Sequence, residues 1–281
     1  MEGLYVINNS INTNFGAMVA LENLSATQTD MAQTQSRIST GLKVSSAKDD
    51  GATWAIAQSQ RATSLSLNSV KDSLSRGSSI IDVALSAGQS VSDLLLQMKA
   101  KALAASDSSL DANSRSALNE DFKALRDQIT SIVSNADFNG ANLLASGASN
   151  LEALANSDGT SRLTATAEDL SLGGANVNVA ATDTIGTSTT ASAMIATLQS
   201  SIANVSAALA RLGTKAKAFD AHAAFVSKLQ DTIDAGVGNL VDADMAKESA
   251  KLQALQTKQQ LGIQALSIAN QSPTAILSLF R

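Results

Sequence analysis

The sequence contains no cysteine, one proline and one histidine among 281 residues, and aromatic residues make up only 3% of it. The absence of cysteine excludes disulfides, thiolate metal sites and cysteine nucleophiles. The single histidine, His222, excludes a His-Glu-x-x-His zinc motif, and we expect it on a helix surface. Because proline is the strongest helix breaker, almost nothing in the chain interrupts long helices. We therefore predict no enzyme activity, no cofactor and no metal site.

The charge is acidic and dispersed along the chain. The formal net charge is −5 and the sequence pI is about 4.9, with no dense run of basic residues. Nucleic-acid binding requires such clusters, so a nucleic-acid partner is not expected. No run of 18 apolar residues predicts a membrane span, and the first basic residue, Arg37, comes too late for a Sec signal peptide. Composition alone therefore predicts a cytosolic protein without a membrane partner.

Apolar residues recur at alternating spacings of three and four along three long segments, as in coiled-coil-like helices. We call each such row a seam. The first seam comprises Leu67, Val70, Leu74, Gly77, Ile81, Ala84, Gly88, Val91, Leu95, Met98, Ala102 and Ala105. The second comprises Leu118, Phe122, Leu125, Ile129 and Ile132. The third comprises Ile195, Leu198, Ile202, Val205, Leu209, Leu212, Ala216, Phe219, Ala223, Val226, Gln230 and Ile233. Three long seams predict an elongated helical bundle, in which the glycines allow close helix approach.

The two ends of the chain carry thinner apolar rows. The N-terminal seam comprises Ala17, Leu21, Leu24, Gln28, Met31, Gln35 and Ile38. The C-terminal segment has two rows, Leu252 with Leu255 and Leu261 with Ala265 and Ile268. A thin helix cannot bury such a face alone, so we expect each end to pair with the other and with further copies of the chain. The candidate self-assembly residues are Leu21, Leu24, Met31, Ile38, Leu252, Leu255, Leu261, Leu266 and Ile268.

Residues 146–190 break the helical pattern and are rich in Gly, Ser, Thr, Asn and Asp. The alternating runs Leu163-Thr164-Ala165-Thr166 and Asn176-Val177-Asn178-Val179 predict short strands, with turns at Asp158-Gly159 and Gly173-Gly174. A flexible loop is the alternative interpretation. We favour a small β-rich segment that faces solvent. Its candidate O-glycosylation residues are Thr160, Ser161, Thr182, Thr184, Ser188 and Thr189.

Acidic residues cluster at two places without a metal-binding pattern. Asp49-Asp50-Gly51 lacks the further ligand positions of a calcium loop, so we interpret it as a turn and helix start. Asp242, Asp244 and Glu248 are interpreted in the same way, because a helix dipole favours acids near its N-terminus.

Basic residues lie near the same two places. Arg37, Lys43 and Lys48 come just after the N-terminal seam. We hypothesise that they pair with Asp242 or Asp244 of another copy of the chain.

Together these patterns predict a mainly α fold: an elongated helical bundle with coiled-coil-like terminal helices and a small β-rich outer segment. The expected divisions are a terminal helix over 1–45, long bundle helices over 46–145 and the β-rich or loop segment over 146–190. A returning bundle helix over 191–236 and a second terminal helix over 237–281 complete the chain.

Three stretches of this sequence resemble bacterial flagellins. The first is Ile11-Asn12-Thr13-Asn14, then Asn23-Leu24 and Arg37-Ile38-Ser39-Thr40-Gly41. The second is Ser46-Ala47-Lys48-Asp49-Asp50-Gly51-Ala52, then Ala55-Ile56-Ala57. The third is Asp242-Ala243-Asp244-Met245-Ala246-Lys247-Glu248, Ala269-Asn270-Gln271-Ser272-Pro273 and Ile276-Leu277-Ser278-Leu279-Phe280-Arg281. Residues 2–10 are a departure, because family members usually reach the first motif within a few residues of Met1.

The resemblance implies a subunit of the extracellular flagellar filament, exported through the flagellar type III apparatus without a cleaved Sec signal. It thus overrides the cytosolic expectation. It implies terminal segments that are disordered in the monomer and helical in the filament. The implied partners are further copies of the chain, other flagellins, a flagellar secretion chaperone, and hook-associated and cap proteins. The short middle segment implies that large outer domains are absent.

Two alternatives remain open at this point. A hook–filament junction protein resembles flagellin at its termini but forms only a thin layer of the flagellum. A coiled-coil signalling protein, such as a chemoreceptor fragment, would need a membrane span or one continuous hairpin. The β-like middle of this chain argues against that second alternative.

Overall fold

The computed structural model describes residues 13–277, with side chains described as far as Gln271. Within this range the helices are α1 (Phe15–Thr40), α2 (Gly51–Ala105), α3 (Ala112–Asn135), α4 (Ser188–Val241) and α5 (Met245–Leu277). The strands are β1 (Leu151–Leu154) and β2 (Arg162–Ala165). The predicted mainly α fold is confirmed. Residues 2–10, Ile11-Asn12 and residues 278–281 of the motifs lie outside the described range.

The chain divides into two compact units, which we call terminal and central. The terminal unit comprises residues 1–61 and 233–281, and the central unit comprises residues 62–232. Helices α2 and α4 each contribute residues to both units.

In the central unit, all twelve positions of the first predicted seam are buried on α2. Two of them require glycine because another helix passes too close for a side chain. A Cβ at Gly77 would lie 2.5 Å from Phe219 Cε1, and one at Gly88 would lie 2.6 Å from Leu209 Cδ2. The expected close approach through these glycines is therefore present between α2 and α4.

The polar member of the third seam is satisfied by α2. Gln230 Nε2 donates to Asn68 Oδ1 at 3.0 Å and to the Ser64 carbonyl at 3.3 Å. Lys71 Nζ donates to Gln230 Oε1 at 3.4 Å. A half-buried polar group costs little when it is paired in this way, so glutamine can occupy a seam position.

Helices α2 and α4 are long and apolar enough to cross a membrane by length and composition. Such a test is weak evidence, since core helices of soluble proteins pass it too. Here many apolar residues of both helices form the packed seams of the central unit, although others, such as Leu96 and Phe225, are exposed.

The middle segment contains one of the two predicted strands. Residues Leu163 to Ala165 lie in β2, which pairs antiparallel with β1 in the register Leu151↔Ala165. Gly159, in the connection between β1 and β2, has a φ of 68°, and Gly173 has a φ of 73°, so both expected turns use the left-handed region that glycine adopts readily.

The run Asn176-Val177-Asn178-Val179 forms no regular strand, so that prediction was wrong. Val177 and Val179 are fully buried, as strand alternation would place them. However, the backbone N–H of Asn178 donates to Ser201 Oγ of α4 at 2.9 Å. A helix side chain thus takes a bond that a neighbouring strand would have made, and only an isolated bridge, Leu172↔Val177, remains.

The middle segment packs as part of the central unit rather than as a flexible loop. Its fully buried apolar residues include Ala165, Leu170, Val177, Val179 and Ile185. Asn119 Oδ1 of α3 accepts the N–H of Ile185, and Ser73 Oγ of α2 accepts that of Leu154. Together with Ser201 of α4, side chains of three helices therefore bond to the backbone of this segment.

A bidentate ion pair adds to this attachment. Arg211 Nε donates to Glu168 Oε1 at 2.7 Å, and Arg211 Nη2 donates to Glu168 Oε2 at 2.6 Å. The Glu168 carboxylate raises the pKa of the Arg211 guanidinium through these hydrogen bonds. Glu168 itself is buried, which makes this the best-formed charge pair of the segment.

Candidate assembly surface

The terminal unit is organised around two short connections that hydrogen-bond to each other. Gly41 ends α1 in the left-handed conformation, with a φ of 73°. Leu42 and Asp242 form an antiparallel bridge. The N–H of Lys43 donates to the Val241 carbonyl at 2.7 Å, and that of Ala243 donates to the Gly41 carbonyl at 2.8 Å. We call this region the junction.

A small apolar core supports the junction. Val44, Ala57, Val237 and Val241 are buried against one another, and the half-buried Trp54 packs on them. The first turns of α2 and the last turns of α4 are thus fixed to the connections from which α1 and α5 leave.

Two aspartates order the connection before α2. Asp49 Oδ2 accepts hydrogen bonds from the backbone and hydroxyl groups of Ser45 and Ser46, at 2.9 to 3.2 Å. Asp50 caps α2, since its Oδ1 accepts the N–H groups of Ala52 and Thr53. The Ser45 hydroxyl chiefly lowers the pKa of Asp49, and the Thr53 hydroxyl chiefly lowers that of Asp50. The interpretation of this motif as a turn and helix start is therefore confirmed.

Helix α5 begins in the same manner. Asp244 Oδ1 accepts the N–H groups of Ala246 and Lys247 at 3.0 and 3.1 Å. Among residues 13–271, no group of three or more His, Asp or Glu side chains is arranged to hold a metal ion.

Helices α1 and α5 pack against each other in antiparallel orientation. Asn14, which caps α1, donates from Nδ2 to the Ala269 carbonyl at 2.6 Å. A Cβ at Gly262 would lie 3.3 Å from Leu24 Cδ1. Next to the junction, Arg37 Nη1 lies 3.2 Å from Glu248 Oε1. These contacts run the length of α1, so the predicted pairing of the two ends is present within one chain.

The face that α1 turns toward α5 differs from the predicted seam. Leu21 is 57% exposed, and Gln28 and Gln35 are also exposed. The two buried residues of α1 are instead Thr27 and Thr34. Leu21 was assigned to the seam because leucine is hydrophobic. In the structure, α1 instead packs on α5 through the row that contains Thr27 and Thr34, because small β-branched side chains allow close helix contact.

The remaining predicted assembly residues divide into two groups. Leu255 is buried and Leu24, Met31, Ile38, Leu252 and Leu266 are half-buried, all on the faces of α1 and α5 that meet. Leu261 is 59% exposed and Ile268 is 70% exposed. The second predicted C-terminal row, Leu261 with Ala265 and Ile268, therefore lies outside the α1–α5 contact.

Sequence reasoning missed the polar residues inside this contact. Thr27, Thr34 and Glu248 are buried, and Gln259 is half-buried. Thr27 satisfies its hydroxyl by donating to the Asn23 carbonyl one turn earlier at 2.8 Å. The one feature of the sequence that could have indicated their burial is the spacing of Thr27 and Thr34, which are seven residues apart, as in a heptad.

Exposed apolar side chains concentrate at the end of the pair remote from the junction. On α1 they are Phe15, Met18, Val19 and Leu21, and on α5 they are Leu261, Ile263 and Ile268. Both groups lie at the same end of the antiparallel pair, and together we call them the distal face. Apart from Met245 at the start of α5, the described remainder of α1 and α5 exposes no large apolar residue.

Two of the three basic residues near the junction, Arg37 and Lys43, bind within their own chain. Arg37 pairs with Glu248, and Lys43 Nζ donates to the Asn239 carbonyl at 2.9 Å.

The other predicted residues lie in the central unit. His222 is half-buried, and its Nε2 lies 2.8 Å from the Ala155 carbonyl, so it attaches α4 to the middle segment. The hydroxyl-bearing candidates Thr160, Ser161, Thr182, Thr184 and Thr189 are exposed, and Ser188 is half-buried at the start of α4.

Comparison with known proteins gives consistent matches. The model of the bacterial flagellin N-terminal helical region matches residues 11–150, and that of the C-terminal helical region matches residues 195–280. The chain is 58% identical over 273 residues to flagellin FljM of Caulobacter vibrioides, covering 97% of this chain and 99% of that protein. It is 37% identical to a flagellin of Brucella melitensis, covering 97% and 99% respectively. A crystal structure of Bacillus cereus flagellin matches 54% of this chain and 87% of its own, with a TM-score of 0.48 and 21% identity, a likeness too weak to add to the assignment.

Proposed function

The chain belongs to the bacterial flagellin family and is a structural subunit of the flagellar filament, and we propose that its copies assemble through the distal face of the α1–α5 pair. The filament formed by this family is extracellular and serves swimming motility. The hook–filament junction alternative is not favoured, because the near full-length relatives named above are flagellins.

The distal face is the observation that supports this proposal. Scattered single apolar side chains are normal on a protein surface, but a concentration of them indicates an interaction site. Here seven such residues lie at one end of the α1–α5 pair, with Phe15 62% exposed and Ile268 70% exposed. The matching occupant is the same surface of further copies, since a filament of identical subunits buries equivalent faces repeatedly.

The composition of the α1–α5 contact supports coupled ordering and assembly. A helix pair whose buried positions include Thr27 and Thr34 of α1 and Glu248 of α5 gains little apolar burial from its intramolecular contact. Helix stability in proteins comes mainly from such packing. We therefore expect α1 and α5 to be frayed in the free monomer and to become fully ordered when other copies cover the distal face.

A charge on the distal face tests this proposal. We expect Ile268→Asp to abolish filament formation while leaving the monomer's helical content unchanged, because assembly would bury the introduced carboxylate. The matched control is Gln256→Asp, an exposed position of α5 outside the distal face. Sedimentation and electron microscopy measure assembly. Normal filaments from Ile268→Asp would contradict the proposed surface.

We also propose the other partners that membership of the family implies. They are other flagellins in a mixed filament, a flagellar secretion chaperone, and hook-associated and cap proteins. Export through the flagellar type III apparatus is proposed with them. The protein is proposed to have no catalytic activity.

We further propose that the middle segment faces solvent in the filament and carries any O-linked glycans. The exposure of Thr160, Ser161, Thr182, Thr184 and Thr189 supports this proposal. An intact mass of native protein equal to the sequence mass would contradict glycosylation. Because packing already fixes this segment's backbone, exposure in the filament is better tested by labelling than by proteolysis. The chain has no cysteine, so Thr182→Cys gives a single site, and failure of a bulky maleimide to label it in filaments would contradict the solvent-facing placement.

A further inference from the structure

The methionines of residues 13–271 lie in three different environments. Met18 in α1 is 59% exposed, and Met245 at the start of α5 is 44% exposed. Met31 is half-buried in the α1–α5 contact. Met98 and Met194 are buried in the central unit. Solvent therefore reaches the sulfur-containing side chains of this protein to very different extents, and Met18 is the one that lies in the distal face.

The methionine thioether is the side chain of this protein that peroxides oxidise most readily. The chain has no cysteine, whose thiolate would otherwise compete for the oxidant. Hydrogen peroxide transfers one oxygen atom to the sulfur. The O–O bond breaks as the S–O bond forms, the sulfur is oxidised by two electrons to the sulfoxide, and the peroxide is reduced to water.

Met18 lies in the middle of an exposed apolar row at the start of α1. Its backbone N–H donates to the Asn14 carbonyl at 3.1 Å. Asn14 also donates from Nδ2 to the Ala269 carbonyl, which attaches this first turn to α5. Phe15, Met18 and Leu21 follow one another at intervals of three residues, so they are neighbours on the helix surface. All three are more than half exposed.

Oxidation changes what this row can bind. A sulfoxide is polar, and its oxygen is a hydrogen-bond acceptor that the thioether lacks. The neighbouring Phe15 and Leu21 side chains offer no donor, so an apolar contact would bury that oxygen unpaired. Burial of an unpaired polar group is unfavourable. Met245 lies outside the distal face, so the same modification there does not place a polar group in the proposed contact.

We propose that Met18 is an oxidation site, and that peroxides block assembly of the protein by converting its side chain to the sulfoxide. This inference rests on the proposed assembly through the distal face. A free subunit exposes Met18 to the oxidant, whereas a neighbouring copy covers it in the filament. Oxidation therefore acts on subunits before they assemble and spares those already assembled. Reduction of the sulfoxide restores the apolar row.

Hydrogen peroxide treatment of the full-length protein tests this proposal. Peptide mass spectrometry measures the sulfoxide at each methionine, and sedimentation measures assembly after the peroxide is removed. In free subunits we expect Met18 and Met245 to be oxidised while the buried Met98 and Met194 stay reduced. In preformed filaments Met18 should stay reduced. These two buried residues also report unfolding, because they react only if the central unit opens.

Oxidised free subunits should assemble poorly and recover on reduction. We expect the critical concentration for assembly to rise roughly tenfold, which corresponds to about 1.4 kcal/mol. Treatment with methionine sulfoxide reductases, which reduce both sulfoxide epimers, should return it to the starting value. Recovery would separate oxidation of a thioether from irreversible damage elsewhere in the chain.

Two variants assign the effect to one residue. Met18→Leu keeps an apolar side chain of similar volume, so it should assemble normally and should continue to do so after peroxide treatment. The double variant Met31→Leu with Met245→Leu retains Met18 and should remain as sensitive as wild type. This second variant is the matched control, because fraying of the terminal helices in the free subunit also exposes Met31.

The possible failures can be told apart. If untreated wild-type protein forms no filaments, the proposed function fails, and the oxidation proposal fails with it. If Met18 is oxidised equally fast in filaments and in free subunits, the distal face is not the covered surface.

Two further results would overturn the oxidation proposal alone. One is an unchanged critical concentration for protein that is fully oxidised at Met18. The other is a loss of assembly in peroxide-treated Met18→Leu equal to that of wild type. In both cases Ile268→Asp still decides the assembly surface. If Met18→Leu does not assemble even when untreated, the double variant decides: recovery after sulfoxide reduction supports the proposal, and continued loss overturns it.

Discussion

The α1–α5 pair and the central unit use similar residues but bury them to different extents. Along α2, all twelve seam positions from Leu67 to Ala105 are buried. Along α1, the two buried residues are Thr27 and Thr34, while Phe15 and Leu21 are more than half exposed. Both regions are amphipathic helices, so the difference lies in how many partners each helix meets within one chain.

This contrast indicates where each region obtains its stability. In the central unit, large residues such as Phe122 and Phe219 are fully buried by intramolecular neighbours. Full burial of such a side chain contributes roughly 1.5–3 kcal/mol, so this unit has the means to fold alone. The α1–α5 pair lacks comparable burial until other copies cover it. The same physical effect therefore folds one region and assembles the other.

The largest expected effect comes from removing one member of the weaker pair. Deleting residues 245–281 should abolish assembly and leave a soluble helical monomer. The cut at 245 keeps Val241, which belongs to the junction core with Val44 and Ala57. Circular dichroism should show a central unit with unchanged thermal unfolding, and sedimentation should show no polymer. Ordered filaments from the truncated protein would contradict the end-pairing mechanism.

A point change within the α1–α5 contact should give the same separation of folding from assembly. Leu252→Asp or Leu266→Asp places a carboxylate at a half-buried seam position. Because the central unit contains neither residue, its unfolding transition should be unchanged while filament yield falls to background. The comparison would break down if either variant lowered the unfolding temperature of the central unit.

The opposite behaviour is expected from overpacking the central unit. A Cβ at Gly77 would lie 2.5 Å from Phe219 Cε1, so Gly77→Ala should lower the free energy of unfolding by about 1–3 kcal/mol. Gly213 is the matched control, because a Cβ there meets nothing within 4 Å. Gly213→Ala should instead raise stability by about 0.5–1 kcal/mol, since helical glycine is unfavourable. Chemical denaturation of the monomer measures both, and equal effects would contradict the packing argument.

The smallest expected effect is the pH dependence of a helix cap in the central unit. Asp111 Oδ1 accepts the N–H groups of Asn113 and Ser114, and its Oδ2 accepts the Ser114 hydroxyl. These bonds, led by that of the Ser114 hydroxyl, lower the pKa of Asp111. A lowered pKa means that the cap stabilises the fold above the ordinary aspartate pKa of about 4, and the contribution is lost as pH falls through the folded-state value.

Substitution of this aspartate isolates the contribution. Asp111→Asn should retain a cap acceptor but lose the pH dependence, because asparagine does not titrate in this range. Thermal unfolding between pH 3 and pH 7 should therefore show a smaller acid-induced decrease for the variant than for wild type. If the unfolding temperatures of the variant and wild type decreased by the same amount, other carboxylates would be responsible for the acid effect.

Much of the fold could be predicted from the sequence because it depends on local spacing. The seam from Leu67 to Ala105 was identified position by position, since a repeat of three and four residues places side chains on one helix face whatever lies opposite. The turn at Asp158-Gly159 and the start of α2 after Asp50 also follow from local backbone chemistry. The sequence did not separate the α1–α5 contact from the distal face, because apolar count alone grouped Leu21, Leu261 and Ile268 with Leu24 and Leu255.

The sequence by itself determined the helices and the need of both ends for partners, because both follow from periodicity along the chain, and its terminal motifs indicated the family by resemblance. Only the tertiary structure decided that Thr27 and Thr34 face α5, that Glu248 pairs with Arg37, and that Asn178 bonds to Ser201 of α4 rather than to a strand. These outcomes depend on the distance and orientation of segments far apart in the chain. Hydrophobicity ranks single residues, whereas close packing selects the row of side chains that lets two backbones approach.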